Sequence, residues 1–289
     1  MNSYAAILTA LDGGPETDVT LAAALAMGRD FEAYVEALQV SADPQTTAPM
    51  VANGMTGSMV DQLMASLEED VKARETQAAK AWRDQVSGPG LPTVDPDAEP
   101  SGGFAVAWRH LVGREHDEVA HRGRLFDLLV LARRSVAEEG AVSPTLETAL
   151  TESARPILIA PPALPERIGR RVAIGWNGSG PAARAVSGAL PLLGRAEEIV
   201  VYTVAEHGLD ADPDDLVRFL ARHRLRAEAR KLEAGKEEAG AQLLEEAGAH
   251  DADLLVAGGY GHSRFREFIL GGATNTMLRS AGIPVLVAH

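Results

Sequence analysis

Short apolar runs alternate with helix-like patterns along the whole chain. Buried strands are predicted at residues 5–11, 31–40, 104–108, 125–131 and 156–160, and again at 171–176, 199–204, 225–232, 253–257 and 284–288. Helical patterns stand between them, and Thr17 or Asp18 is predicted to cap the first helix, which should run to Met27. Strands that alternate with helices indicate parallel β-α units, so the chain is predicted to be α/β, with two five-stranded, mostly parallel, doubly wound sheets.

The two halves of the chain repeat one another in residue type as well as in order. Asp-Leu-Leu-Val occurs at residues 127–130 and again at 253–256. Pro-Ile-Leu-Ile-Ala at 156–160 corresponds to Pro-Val-Leu-Val-Ala at 284–288. We therefore expect two domains, residues 1–162 and 167–289. The Pro-rich segment 161–166 should be a stiff linker between them.

The first half contains an additional stretch that the second half lacks. Residues 55–86 have apolar side chains at three- and four-residue steps, which predicts one long helix. Residues 88–103 are rich in Pro, Gly and Asp and are predicted to form an exposed loop. We expect the long helix to cover a cleft of the first domain or to form a partner surface, for example in a homodimer.

A glycine motif in the second half offers the chain's main candidate chemistry. Its spacing is Gly258-x2-Gly261-x9-Gly271-Gly272, between a buried strand and a short predicted helix at 273–279. Glycines at a strand's carboxyl end and at a helix N-terminus allow backbone amides to approach a phosphate closely. Thr274 could add a hydroxyl donor. The alternative is that these glycines only form tight turns.

The motif resembles the signature of the universal stress protein family, whose ATP-binding members carry G-x2-G-x9-G followed by Ser or Thr. Here Gly272 stands at the Ser/Thr position, so that hydroxyl is missing. The resemblance extends to the whole chain as two domains of the adenine nucleotide alpha hydrolase type, paired through their last strands as an internal pseudo-dimer. In the first half, residues 132–140 retain only Gly140 of the motif, which implies that this half does not bind ATP in the family's manner.

The same resemblance implies which residues line an adenine nucleotide in the second domain. The family has an acidic residue beside ribose and adenine after its first strand, and Asn177 stands there; its alternative role is to form a turn. The complete set of implied nucleotide-binding residues is Asn177, Val204, Ala257, Gly258, Gly261, Gly271, Gly272, Ala273 and Thr274. Val204 would contribute its main chain to adenine recognition.

Composition and charge limit the classes of molecule that the chain is expected to bind. The 289 residues carry a formal net charge of −14 without any basic block, which disfavours nucleic acid and anionic membranes. A bound ATP must therefore be held by local backbone dipoles, with a divalent cation such as Mg²⁺ as a possible companion. The chain has no cysteine, which fits a cytoplasmic protein, and no signal peptide or run of 18 apolar residues is recognised.

Other candidate residues have weaker support. His262, Arg264 and Arg266 could face a phosphate, although exposed side chains in such a loop usually face solvent. The spacing of His110, His116 and His121 argues against a zinc site. Since no paired nucleophile and base is found, no catalytic residue is assigned. The sequence favours a non-enzymatic stress-response sensor that binds ATP or AMP; the alternatives are a nucleotide-free protein-interaction module and a slow ATPase.

Overall fold

The computed structural model describes residues 3–43, 56–99, 102–133, 143–204, 211–233, 238–259, 276–277 and 280–289. The strands are β1 Ala6–Ala10, β2 Tyr34–Ser41, β3 Ala105–Val112, β4 Leu128–Ala132, β5 Ile157–Ala160, β6 Arg171–Gly175, β7 Glu198–Val204, β8 Glu228–Leu232, β9 Leu254–Gly258 and β10 Val285–Ala288. The helices are α1 Thr17–Phe31, α2 Gly57–Trp82, α3 Glu115–Gly123, α4 Pro144–Glu152, α5 Gly180–Leu193, α6 Pro213–Arg222 and α7 Ala239–Ala249.

The strands form one ten-stranded sheet with the order β3-β2-β1-β4-β5-β10-β9-β6-β7-β8. Read from the centre outward, the two halves have the same order, so an approximate two-fold relates them. The predicted α/β class with five mostly parallel strands in each half is confirmed. Helices cover both faces of the sheet, where two clusters of buried apolar side chains form the core.

The halves join through their last strands, as predicted. β5 and β10 pair antiparallel, with Ile157 opposite Val287, Leu158 opposite Leu286, and Ile159 opposite Val285. The other neighbouring strands pair in parallel. Because each half covers the free edge of the other, neither exposes the backbone of its last strand to solvent. The division into domains at residues 161–166 stays a prediction.

The repeated aspartate has the same role in both halves. The Asp127 carboxylate accepts hydrogen bonds from the amides of Ala5 and Ala6, at 2.8 and 3.0 Å. The Asp253 carboxylate accepts from the corresponding amides of residues 169–171, at 2.9 to 3.2 Å. Each aspartate therefore ties the start of its own strand to the start of the neighbouring strand. Burial raises the pKa of Asp253 above its usual value, and the backbone donors oppose that shift.

The first helix differs from its prediction at both ends. Neither Thr17 nor Asp18 caps it, because the N-cap residue is Glu16 and makes no side-chain capping bond. The helix also continues past Met27 to Phe31. Gly28, which suggests a stop in the sequence, instead lets the helix lie close to β2: a Cβ there would stand 2.3 Å from Val35 Cγ2.

The predicted long helix of the first half is present as α2, which continues as a π-helical turn at Arg83–Ser87. Within α2 only Ala78 and Ala81 are fully buried, so its C-terminal part packs on the domain and its N-terminal part is more exposed. No helix of the described residues is both long enough and apolar enough to cross a bilayer.

Candidate functional site

The candidate site lies where the carboxyl ends of β6, β7 and β9 meet, which we call the carboxyl edge of the second half. β6 stands between β9 and β7, so the strand order reverses at β6. Ligands of open α/β sheets bind outside the strand ends at such a reversal. Asn177, Val204, Ala257 and Gly258 lie at this edge, whereas the other implied site residues, Gly261, Gly271, Gly272, Ala273 and Thr274, lie outside the described residues.

The strand ends are held in register by main-chain contacts. Gly175 is level with Tyr202 of β7 and with Ala257 of β9. One step further, the Trp176 amide donates to the Tyr202 carbonyl at 2.8 Å, and the Thr203 hydroxyl donates to the Trp176 carbonyl at 2.9 Å. The chain therefore leaves β6 in a fixed direction, which positions the next residue, Asn177, at the reversal.

Asn177 begins a tight turn into α5. Its Oδ1 accepts a hydrogen bond from the Ser179 amide at 3.2 Å, and Gly178 between them has φ +71°. Ser179 then caps α5, because its hydroxyl accepts from the Ala182 amide at 3.2 Å. The turn-forming role considered for Asn177 is thus present. Since Nδ2 makes no hydrogen bond within the described residues, it is available as a donor towards a ligand.

Two of the edge residues have apolar side chains that pack within the protein. Ala257 is 3% exposed and is paired on both sides within the sheet. Val204 is the last residue of β7, lies opposite Leu232 of β8, and packs its side chain against the core. The contact of the Val204 main chain with adenine, and the place of Ala257 beside the nucleotide, stay predictions.

Gly258 and Gly259 have structural roles that the sequence does not reveal. A Cβ on Gly258 would lie 2.5 Å from the amide nitrogen of Ala182 and 3.0 Å from the carbonyl carbon of Pro181. Its missing side chain therefore lets the first turn of α5 pack directly on the end of β9. The Gly259 amide is already bound, since it donates to the Ala288 carbonyl at 2.8 Å.

A cationic side chain that the sequence analysis missed lies at the first turn of α5. The Arg184 guanidinium folds back over Gly180, with Nη1 3.3 Å from the place that a Cβ on Gly180 would occupy. Arg184 is exposed. The only indication of this role in the sequence is that Arg184 stands four residues after Gly180, so that both lie on the same face of α5.

A second cation at this edge is neutralised by its neighbour. The Lys231 ammonium lies 3.2 Å from the carboxylate of Asp212, the N-cap residue of α6. That hydrogen bond, together with the Asp214 amide, lowers the pKa of Asp212. Lys231 is therefore engaged, whereas Arg184 makes no hydrogen bond or ion pair with the part of the chain that the structure describes.

The equivalent edge of the first half has the same turn. The Asp12 Oδ1 accepts from the Gly14 amide at 3.0 Å and from the Thr17 hydroxyl at 2.7 Å. Gly13, like Gly178, has a positive φ, here +68°. The difference is that α2 crosses this turn: a Cβ on Gly13 would stand 2.1 Å from the Arg74 carbonyl oxygen.

Helix α2 also forms one wall of the cleft at that edge. The cleft has a volume of about 350 Å³, and α2 lines it with Leu67, Asp70, Val71, Arg74 and Glu75. The Ser41 hydroxyl at the end of β2 bonds Glu75 Oε1 at 2.7 Å and lies 2.8 Å from His110 Nε2. Of the two roles predicted for the long helix, the first has this support: α2 crosses the turn and forms a wall of the first half's cleft. The role as a partner surface stays a prediction. The predicted loss of the first half's glycine motif concerns residues 132–140, of which 134–140 lie outside the described residues.

The histidines that the structure describes show no metal-binding geometry. Within the described ranges, no group of three or more His, Asp or Glu side chains is arranged to hold a metal ion. Ser41, Glu75 and His110 do not form a nucleophile-activating triad either, because the carboxylate accepts the hydroxyl's own hydrogen bond.

Comparisons with known proteins agree with the architecture. Residues 169–289 match the model of the Universal stress protein family. The chain resembles the crystal structure of a universal stress protein from Archaeoglobus fulgidus DSM 4304, with a TM-score of 0.64, 15% identity, and coverage of 98% of this chain and 95% of that chain. A functionally unknown protein from Pseudomonas aeruginosa PAO1 is similar at a TM-score of 0.57 and 13% identity, over 99% and 92% of the two chains. At these identities the likeness shows the fold alone. No curated protein sequence matches the chain.

Proposed function

We propose, from the match of residues 169–289 to the model of the Universal stress protein family, that the protein is a stress-response protein that binds an adenine nucleotide at the carboxyl edge of the second half. The observation that carries the proposal is the position of Asn177 and Gly258. Asn177 begins the turn that follows β6, and Gly258 is the last residue of β9, so the two lie on either side of the point where the strand order reverses.

Each described edge residue has a part in this proposal. Asn177 Nδ2 donates to the ribose, while the main chain of Val204 and Ala257 borders adenine and ribose. Gly261, Gly271, Gly272, Ala273 and Thr274 are proposed, through the family motif, to surround the phosphates. Mg²⁺ would arrive as the counter-ion of those phosphates.

Arg184 is proposed to supply a local positive charge at this edge. With a net charge of −14, the protein as a whole repels a nucleotide. A guanidinium at the first turn of α5 offsets this repulsion locally, and it can bind a phosphate with two parallel hydrogen bonds. It would also compensate for the hydroxyl that Gly272 lacks.

A nucleotide-free interaction module is the second candidate, and one observation favours it. Gly258 is needed for the packing of α5 on β9, and the Gly259 amide is bound to Ala288. The first glycine of the motif thus has a structural reason to be glycine, and the amide that follows it is not free for a phosphate. In that case α2, with its more exposed N-terminal part, would be the partner surface.

Two substitutions separate the base-and-ribose contacts from the phosphate contact. Arg184→Gln is expected to weaken ATP binding about tenfold and to leave adenosine binding unchanged, because only the phosphate contact is removed. Asn177→Ala is expected to weaken the binding of both ATP and adenosine several-fold. Isothermal titration calorimetry on nucleotide-free, full-length protein measures each affinity.

Arg222→Gln is the matched control, because Arg222 is also an exposed helix arginine but lies in the last turn of α6. It should leave both affinities unchanged. Equal losses of ATP affinity in Arg184→Gln and Arg222→Gln would show that only the overall charge matters. Failure of the wild-type protein to bind either ligand would favour the interaction module.

A further inference from the structure

The first half contains a second cleft, at the opposite edge of the sheet, which we call the aromatic cleft. It is bordered by the starts of β1, β2 and β3 and by the end of the segment that follows α3. Its volume of about 670 Å³ lies within the range of small-molecule sites in proteins. The nucleotide site proposed above lies at the carboxyl edge of the other half, so the two are separate.

Aromatic side chains are concentrated in this cleft. The whole chain has only four tyrosines and six phenylalanines, and two of each line it: Tyr4, Phe31, Tyr34 and Phe126. Tyr4 and Phe31 pack edge to face at 4.9 Å, and Tyr34 and Phe126 stack at 6.3 Å. The mouth also includes Leu125, whose exposure of 77% is high for a large apolar side chain.

The buried carboxylate of Glu36 at the floor of the cleft receives all of its hydrogen bonds from the protein. The Glu36 carboxylate accepts hydrogen bonds from Arg122 Nε, from Arg122 Nη2 at 2.7 Å, from Arg109 Nε at 3.3 Å, and from the Tyr34 hydroxyl at 2.8 Å. All four acceptor positions of the carboxylate are thereby used. Burial and the bond to Glu36 raise the pKa of Tyr34, so its hydroxyl remains a neutral donor. Arg122 is committed to Glu36 and offers little to an anionic ligand.

The rim of the cleft is negative. Glu32 and Glu99 line it with exposed carboxylates, and neither makes a hydrogen bond or ion pair through its carboxylate within the described residues. The rings below them already contact cations of the protein itself. The Arg122 guanidinium lies 5.8 Å from the Phe126 ring centroid, and the Arg195 guanidinium lies 5.1 Å from that of Phe31.

Aromatic walls beneath an acidic rim are the chemistry that recognises organic ammonium groups, because ring faces and carboxylates both attract positive charge while the rings also bury apolar surface. We propose that the aromatic cleft binds a small organic cation with an apolar body, such as an aromatic or alkyl amine. An anionic ligand would meet Glu32 and Glu99 at the entrance, with no free cation at the floor.

The test uses three probes of similar size that differ in charge: benzyltrimethylammonium, benzyl alcohol and benzoate. Titrations of full-length protein followed by NMR should show benzyltrimethylammonium binding about tenfold more tightly than either other probe. The double variant Glu32→Gln/Glu99→Gln, which changes only exposed side chains, should weaken binding of the ammonium probe about fivefold.

The matched control is Glu166→Gln/Glu197→Gln, which removes two carboxylates from the corresponding edge of the second half. It should leave the affinity for benzyltrimethylammonium unchanged. The proposal is overturned if benzoate binds as tightly as the ammonium, if the two double variants behave alike, or if the ammonium probe does not bind. Because none of these residues lies at the carboxyl edge of β6 or β9, ATP affinity should remain unaffected in both variants, so this test and that of the nucleotide site can fail independently.

Discussion

Replacing Gly258 by alanine is expected to lower the free energy of unfolding by about 3 kcal/mol, because the added Cβ would stand 2.5 Å from the Ala182 amide nitrogen. The obstacle is backbone at the first turn of α5, which cannot rotate away as a side chain can. The helix must therefore shift from the end of β9 or the strand must bend. Urea unfolding followed by circular dichroism measures the loss.

Gly259→Ala is the matched control at the next position. A Cβ there would lie 3.4 Å from the Ala288 carbonyl oxygen, which is an ordinary contact, and the Gly259 amide could keep its bond to that oxygen. We expect a loss below about 1 kcal/mol for this variant. A similar loss in both variants would mean that the close packing of α5 on β9 is not the reason for glycine at 258.

Replacing Glu36 by glutamine is expected to destabilise the protein by a similar amount, about 3 kcal/mol. Glu36 is fully buried, and its carboxylate is bound by Arg109, Arg122 and Tyr34. Glutamine keeps the shape but removes the charge, and its amide group would turn a donor towards donors. Two guanidiniums would then lack their buried counter-charge. The same urea titration measures the effect.

Glu228→Gln provides the comparison in an exposed setting. Glu228 pairs with Arg230 on β8 at 2.8 Å, and both side chains are largely accessible to solvent. Exposed pairs of this kind contribute little, so a loss below about 0.5 kcal/mol is expected. If Glu36→Gln costs no more than Glu228→Gln, then the buried network does not hold β2, β3 and α3 together.

The fold could be predicted because its signals are local and repeated. Buried parallel strands are short apolar runs, and the two Asp-Leu-Leu-Val segments, which begin at Asp127 and Asp253, place the fourth strand of each half in register with the first. The pairing of β5 with β10 followed from the resemblance to the family. These features depend on residues close in sequence or on the repeat, so pattern alone identifies them.

The errors and omissions arise where residues far apart in sequence meet. Gly28 has the residue type of a helix stop, yet it serves the close contact of α1 with Val35. A glycine at position 258 is typical of a phosphate-binding loop. Here glycine is needed because helix α5, which begins at Gly180, packs directly against this position. The aromatic cleft brings together side chains from four separate stretches of the first half, which no periodicity connects.

We propose that the chain binds a single adenine nucleotide, at the carboxyl edge of the second half, where Asn177 lies, because α2 crosses the equivalent edge of the first half. Native mass spectrometry of the full-length protein with added ATP tests it most directly. We predict one nucleotide per chain, retained in Asp12→Ala and lost or weakened in Asn177→Ala. Absence of any bound nucleotide, or two nucleotides per chain, would contradict the account.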